Sequence, residues 1–273
     1  MNVNEQFKYN LMKGLDVNVT LGYSTNSAIR DEQYLSIQWY SYNGNPIKSE
    51  NSPFPTQDDS SYTKSSARTD NYTAAAFLSY TTQLNEVHGL TAMVGTQYDR
   101  TEYEYSSTKA KNVDPTLGVL NGTGIVSIDK VDKWKEAIMS YFGRVNYNYK
   151  EKYLIEANAR YDGSSKFQPE NRWNFFYGFS GGWRITQEPF MEVVRNYVDE
   201  IKLRASYGEV GNQSGISRYD GIQLYESVSN AGAYLGDGLT SYLKAGNLVS
   251  TERTWERIHN YNLGLDFTAL RRR

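Results

Sequence analysis

Cysteine is absent from the 273 residues of this chain, and histidine occurs only twice. The absence of cysteine excludes disulfides, thiolate catalysis and Cys-ligated metals. Two histidines, His88 and His259, give little support to a metal site. Charges nearly balance, with 29 Lys+Arg against 31 Asp+Glu, so composition does not indicate a nucleic-acid partner. We therefore predict no catalytic residue, no metal and no cofactor.

Long hydrophobic runs are also missing, because no stretch of about 18 apolar residues exists that could form a transmembrane helix. A transmembrane strand needs only about 9–11 residues and alternates its two faces, so average hydrophobicity conceals it. What the chain has in abundance is tyrosine, 24 residues, beside 10 Phe and 5 Trp. Such aromatic content favours strands with one apolar and one polar face.

Alternation of apolar and polar residues is the dominant pattern along the chain, and it predicts an all-β protein. In residues 153–162, for example, Tyr153, Ile155 and Ala157 alternate with Leu154 and Glu156. About nine strands are predicted. They cover residues 3–10, 15–24, 71–82, 89–105, 138–149, 153–162, 175–185, 201–207 and 260–267.

Connections between these strands alternate in length. Short turns are predicted near residues 12–14, 83–89 and 150–151, and long polar loops at 24–70, 108–134 and 209–254. A connection at 186–200 is intermediate, with a helical turn expected through 192–196. Short turns on one side and long loops on the other are typical of an antiparallel transmembrane β-barrel wall. A soluble or surface-attached β-sandwich that binds carbohydrate is the alternative, since it also alternates apolar and polar residues.

The second half of the chain, roughly residues 138–267, resembles the SusC/RagA family of TonB-dependent outer-membrane transporters. The resemblance rests on the order and spacing of several short runs. They contain Arg160, Asp162, Gly163, Ser164, Ser165, Phe167, Asn171, Arg172, Trp173, Gly182, Trp183, Arg184, Lys202, Arg204, Ser206, Tyr207, Gly208, Gly211, Asn212, Gln213, Trp255, Glu256, Asn262, Gly264 and Asp266.

The resemblance implies an importer of glycans or peptides in the outer membrane of a Gram-negative, Bacteroidetes-like cell. Family members form a barrel of roughly 22 strands around a plug. The implied partners are outer-membrane lipid, a SusD-like surface lipoprotein, the TonB–ExbB–ExbD complex reached through the plug, and an oligosaccharide or peptide substrate. A passive porin is a further alternative.

Residues 1–273 contain no recognisable signal peptide, plug domain or TonB box, so we expect them to be a partial β-barrel domain of such a receptor. Trp173 and Trp183 are predicted to mark the two membrane interfaces, with Tyr147, Tyr149 and Tyr153 beside the second.

Two further sets of side chains are predicted from these strands and loops. Six charged side chains are predicted to face the barrel interior, where they contact the plug or water: Arg144, Glu156, Arg160, Arg184, Lys202 and Arg204. Aromatic residues of the long loops are candidate substrate contacts, because their rings can stack on sugars: Trp39, Tyr40, Tyr42, Tyr219, Tyr225, Tyr234 and Tyr242.

Overall fold

A single large antiparallel sheet dominates the computed structural model, which describes residues 1–34, 39–47, 60–111, 113, 125–193, 197–228, 234–235, 238–239, 241–250 and 252–269. Nine strands follow one another in the order β1-β2-β3-β4-β5-β6-β7-β8-β13, so almost every strand pairs with its neighbour in sequence. Their bounds are β1 Asn2–Met12, β2 Leu15–Tyr34, β3 Ser61–Leu84, β4 His88–Lys111, β5 Ile125–Tyr149, β6 Tyr153–Ser164, β7 Trp173–Arg184, β8 Val198–Asn212 and β13 Glu256–Ala269.

Four short strands lie between β8 and β13 and form two small hairpins. One hairpin pairs β9 (Tyr225–Val228) with β12 (Tyr242–Ala245), and the other pairs β10 (Tyr234–Leu235) with β11 (Gly238–Leu239). The predicted all-β class and nine principal strands are therefore confirmed. Within the described residues, no helix has the length and hydrophobicity needed to cross a membrane.

The short turns are as tight as predicted. Asn85 and Glu86 both have positive φ, as do Lys150 and Glu151, and each pair is closed by a backbone hydrogen bond across the turn. Two consecutive positive φ values define a type I′ turn, whose twist matches that of antiparallel strands. The turn before β2 contains Gly14 instead, where a Cβ would lie 2.2 Å from the carbonyl oxygen of Thr81.

Several predicted loop boundaries are wrong, because the strands extend further than the apolar pattern suggests. β2 continues to Tyr34 and β3 begins at Ser61, well inside the predicted loop 24–70. β4 and β5 likewise take up much of 108–134. Polar cross-strand contacts hold these extensions together, such as Ser107 Oγ with Asp129 Oδ2 at 3.0 Å. In these extensions apolar and polar residues do not alternate regularly, so sequence analysis has no period of two to detect there.

The predicted loop after β8 is largely correct, although β8 itself continues to Asn212. The connection from β7 to β8 contains two 3₁₀ turns, Ile185–Gln187 and Pro189–Met191. These precede the helical turn that was expected at 192–196, of which residues 194–196 lie outside the described part of the chain.

Chain contacts divide the structure into two compact units. One contains residues 1–3, 22–72 and 100–135, and the other contains residues 4–21, 73–99 and 136–273. In the second unit the strand registers settle which side chains share a face. Ala157 lies opposite Val145 on β5 and Phe179 on β7, whereas Asn158 lies opposite Arg144 and Gly178.

The apolar face of this sheet is exposed. About half or more of the surface of each of five side chains on this face is exposed, and these side chains come from β5, β6, β7 and β13: Tyr141, Ile155, Phe175, Phe179 and Leu263. A soluble sandwich would cover that face with a second sheet, whereas the described strands outside this sheet form only the two small hairpins. An exposed apolar face is what a transmembrane wall presents to lipid.

Candidate functional site

A small aromatic core lies where β6, β7, β8 and β13 meet their long connections. Phe167, Phe176 and Trp255 are all buried, and Ile216 packs against them. The Trp255 ring lies 5.3 Å from the Phe167 ring and 5.7 Å, edge-on, from the Phe176 ring. We call these four residues the rim cluster. Because they come from four separate segments, they join the two connecting loops into one packed unit.

Hydrogen bonds fasten the same segments together. Trp255 Nε1 donates to the carbonyl oxygen of Arg172 at 2.9 Å, and Thr254 Oγ1 donates to that of Asn171 at 3.1 Å. The hydroxyl of Ser164 donates to the side-chain oxygen of Gln213. Both ends of the β8–β13 loop are thus attached to the β6–β7 connection.

Two glycines are required by the close approach of aromatic rings near this cluster. A Cβ on Gly163 would lie 2.6 Å from the Trp173 indole, and one on Gly211 would lie 2.3 Å from the Phe176 ring. Both distances are far below van der Waals contact, so a larger residue would displace the rings. Packing therefore explains these two family-motif positions without any role in binding a ligand.

The motif residues fall into three groups in the structure. Those near the rim cluster are Asp162, Gly163, Ser164, Ser165, Phe167, Asn171, Arg172, Gly211, Asn212, Gln213, Trp255 and Glu256. Those that alternate with the apolar residues, on the polar face, are Arg160, Gly182, Arg184, Lys202, Arg204, Ser206, Gly208, Asn262, Gly264 and Asp266. Trp173, Trp183 and Tyr207 lie on the apolar face.

The two tryptophans lie at opposite ends of β7, as predicted. Trp173 stacks with Tyr161 at 5.0 Å and with Tyr141 at 5.9 Å. At the other end, Tyr149 stacks on Tyr153, which lies opposite Trp183 in the β6–β7 ladder. Two clusters of rings at the two ends of one strand are typical of the aromatic girdles of membrane proteins.

Glu188, in the connection after β7, is a buried carboxylate that sequence analysis did not identify as a site residue. It accepts hydrogen bonds from the Tyr153 hydroxyl at 2.6 Å, from Lys152 Nζ at 3.1 Å and from Trp183 Nε1 at 3.1 Å. These donors lower the pKa of Glu188 to about 2, although burial alone would raise it. The carboxylate thereby ties the β7–β8 connection to the end of β6.

Ion pairs line the polar face of the second unit. Arg144 pairs with Glu156 at 3.8 Å, and Arg204 pairs with Asp266 at 2.8 Å. Arg160 Nη2 contacts Asp162 at 3.2 Å, and its guanidinium lies 5.8 Å from the Phe142 ring, which shares this face. Such exposed pairs contribute little stability individually, and they give this face a charged, solvent-accessible surface.

An open groove of about 700 Å³ lies on this face and is lined mainly by hydrogen-bonding side chains. Its polar lining residues are Thr91, Asn146, Asn148, Glu156, Ser180, Lys202, Arg204, Ser206 and Asn262. Three of the six charged residues predicted to face inward, Glu156, Lys202 and Arg204, belong to this lining. Amide, hydroxyl and paired charged groups together suit water and polar solutes better than an apolar ligand.

Glu209 is a second buried carboxylate that sequence analysis missed. Its side chain is only 4% exposed, and it contacts the Tyr207 hydroxyl at 2.7 Å and Arg257 Nη1 at 3.2 Å. His259 lies 3.7 Å from the same carboxylate and 3.0 Å from the Tyr207 hydroxyl. Because Arg257 and His259 are on β13, nearly fifty residues further along the chain, only the β8–β13 register reveals this cluster.

The candidate loop aromatics form two groups, one in each unit. Tyr40 and Tyr42 are exposed in a small turn closed by a bridge between Tyr40 and Pro46, and Trp39 lies next to them. Tyr225 and Tyr242 are exposed at opposite ends of the β9–β12 hairpin. Tyr219 has positive φ in the preceding turn, and the side chain of Tyr234 lies outside the described residues. Their contact with substrate remains a prediction.

Removal of the Trp255 ring should loosen the β8–β13 loop without unfolding the sheet. In Trp255→Ala the rim cluster loses its central ring, and limited proteolysis should cut residues 213–255 at least tenfold faster than in the wild type. Trp255→Phe keeps a ring but loses the hydrogen bond to Arg172, so it should be cut at an intermediate rate. Equal cleavage rates in all three proteins would contradict the proposed role of the cluster.

Stability should depend on Glu188 only above a defined pH. Because its folded pKa is about 2 and its usual value is 4.5, the ionised group stabilises the fold fully above pH 4.5 and progressively less as pH falls towards 2. Glu188→Gln should therefore lower the urea midpoint at pH 7, and the deficit should shrink between pH 4.5 and 2. A deficit that is constant across this range would show that the charge is unimportant.

Comparison with known proteins agrees with the resemblance found in the sequence. Residues 2–272 match the family model described as TonB dependent receptor-like, beta-barrel. TonB-dependent receptor P39 of Formosa agariphila is 31% identical over 206 residues, which are 72% of this chain and 18% of that protein. TonB-dependent receptor SusC of Bacteroides thetaiotaomicron is 36% identical over 137 residues, which are 50% of this chain and 14% of SusC.

Solved structures of the RagAB peptide importer have the same fold. The open-open state superimposes with a TM-score of 0.82 at 23% identity, and the match covers 100% of this chain and 28% of the other. The closed-closed state gives a TM-score of 0.80. The chain therefore spans less than a third of each of these proteins. The sheet, its exposed apolar face and the family match over residues 2–272 lead to one conclusion: this chain belongs to the TonB-dependent receptor-like β-barrel family.

Proposed function

We propose that the whole protein imports nutrients across the outer membrane, and that this chain supplies part of the barrel wall. The observation that carries the proposal is the two-faced sheet: an exposed apolar face between two aromatic clusters, and a charged, hydrated face behind it. Only closed barrels and helices satisfy all backbone groups in lipid. A wall with these two faces therefore suits lipid on one side and a polar passage on the other.

The proposed cargo is a peptide or an oligosaccharide. RagAB, which has the same fold, is a peptide importer, and the resemblance of the sequence to the SusC/RagA family also allows an oligosaccharide. The groove on the polar face contains both hydrogen-bond donors and hydrogen-bond acceptors, which suit either cargo. In this proposal the short turns face the periplasm, and the long loops face the cell exterior.

The proposed partners are a SusD-like surface lipoprotein on the exterior side and the TonB–ExbB–ExbD complex on the periplasmic side. The rim cluster holds the β8–β13 loop at both of its ends, so its β9–β12 hairpin projects from a fixed base. Exposed apolar side chains on that part of the loop, including Leu224, Tyr225 and Leu243, suit contact with a lipoprotein or cargo.

The orientation of the wall is tested by two adjacent residues in the middle of β6. Ala157→Arg places a charge on the apolar face and should cost about 2–4 kcal/mol of folding free energy in lipid. Asn158→Arg places the same charge on the hydrated face and should cost little. The measurement compares folding equilibria of the two full-length variants in lipid vesicles. A larger cost at Asn158 would mean that the faces are inverted.

Energy coupling is tested in the full-length protein. Deletion of the TonB box should abolish uptake of labelled oligosaccharides and peptides while the barrel still assembles, because a plugged barrel does not open unaided. Heat-modifiable migration on gels provides the control for assembly. Uptake that persists after the deletion would identify the protein as a passive porin.

A further inference from the structure

Strand β5 is about twice as long as β6, one of its two neighbours in the sheet. β5 has 25 residues and β6 has 12, and their ladder begins at the pair Ile138 and Ser164. On its other side β5 follows β4, as the contacts of Ser107 with Asp129 and of Lys133 with Glu104 indicate. Among the described strands only β4 and β6 border β5. Residues 125–133 therefore have one edge without a strand partner, which we call the free edge.

The contact between Ala137 and Ser165 of the β6–β7 connection shows which residues of β5 direct their backbone N–H and C=O groups to the free edge. Both the N–H and the C=O of Ala137 turn to that side, since Ala137 N donates to Ser165 Oγ and Ala137 O accepts from Ser165 N, each at 2.9 Å. In an antiparallel strand the two groups of every second residue point the same way. Residues 127, 129, 131 and 133 thus present their N–H and C=O groups along the free edge.

The side chains around this edge are apolar, β-branched and exposed. Ile125, Val126, Ile128 and Val131 are 72, 53, 77 and 67% exposed, and they lie on both faces of the strand. Natural proteins usually protect such edges with proline or with charged side chains. Residues 125–137 contain no proline.

Three of the four charged residues in 125–133 contact β4. Lys133 pairs with Glu104, Lys130 lies 5.8 Å over the Tyr105 ring, and Asp129 accepts a hydrogen bond from Ser107. Each of these contacts draws the side chain towards β4 and away from the unpaired backbone groups. Asp132 is the remaining charged residue, so the edge is less protected by charge than its composition suggests.

We propose that the free edge binds an extended segment of the partner surface lipoprotein, which adds a strand to the sheet beside β5. Backbone hydrogen bonds would supply the affinity, and apolar side chains of the added strand would cover Ile128 on one face and Val131 on the other. The identity of the partner rests on the proposed function. Apolar exposure on both faces favours a permanent protein partner over transient cargo, because a site emptied at each turnover would leave an aggregation-prone edge uncovered.

A proline at residue 131 tests whether the lipoprotein binds through backbone hydrogen bonds or only through side-chain contacts. In the full-length transporter, Val131→Pro removes an N–H on the free edge only, and a solvent-facing edge tolerates proline. Co-purification of the co-expressed lipoprotein should fall at least tenfold, with the heat-modifiable migration of the barrel unchanged. Val131→Thr keeps the N–H and nearly the same shape, so it should retain the complex. Ser127→Pro repeats the test further along the edge if Val131→Pro fails to assemble.

Single cysteines give the register of the added strand, since these 273 residues contain no cysteine and any cysteine elsewhere in the full-length protein is first replaced by serine. Cysteines placed singly at positions 126–131 of the full-length transporter and joined by a short crosslinker should link to successive positions of one lipoprotein segment, in steps of one residue.

Crosslinks confined to the transporter chain would overturn the proposal, as would an intact complex in both proline variants. Loss of peptide uptake with the complex intact would identify cargo as the occupant. A complex that depends on Val131 in a protein without TonB-driven uptake would uphold this inference while the proposed function fails.

Discussion

Pairing of every backbone group between neighbouring strands is the constraint on which this structure depends. A wall that meets lipid cannot leave N–H and C=O groups unpaired, so each strand must be hydrogen bonded on both sides throughout the membrane. Seven of the nine strands have a neighbour on each side, in almost unbroken sequence order, while β1 and β13 form the two edges of the described sheet. The free edge of β5 lies inside the sheet order, at a place where the β5–β6 pairing stops while β5 continues.

Burial contributes less to this fold than it does in a soluble protein. The rim cluster is the main buried aromatic core of the described residues, and it stabilises loops instead of the sheet. The apolar face is exposed, and lipid would take the place that a second layer occupies in a sandwich. Hydrophobic stabilisation of the wall thus depends on its surroundings, whereas the loops carry a core of their own.

Charged groups have different roles at different levels of the wall. On the polar face the pairs are exposed and keep the surface hydrated, as Arg204 and Asp266 illustrate. At the end of β7, Glu188 is buried and held by three donors, so it fixes a connection in place. The former arrangement suits a passage for polar solutes, and the latter suits a rigid turn. A charged side chain that is exposed therefore contacts water, whereas one that is buried holds a connection between strands in place.

The sequence by itself determined the fold class, the number of principal strands, the family and the two faces of the wall. It did so because alternation with a period of two is a local property, visible within ten residues such as 153–162. The ends of β2, β4 and β5 were not predictable in this way, because apolar and polar residues do not alternate regularly there. Cross-strand contacts such as Lys133 with Glu104 hold these ends together.

Only the tertiary structure decided which distant residues meet. Glu209 joins Arg257 and His259 through the register of β8 and β13, and Trp255 contacts Phe167, which lies almost ninety residues earlier in the chain. Glycines 163 and 211 belong to the family motifs, but the rings that require them became visible only in the packed structure. Such contacts depend on strand pairing and loop closure over long distances in the chain, which no local pattern records.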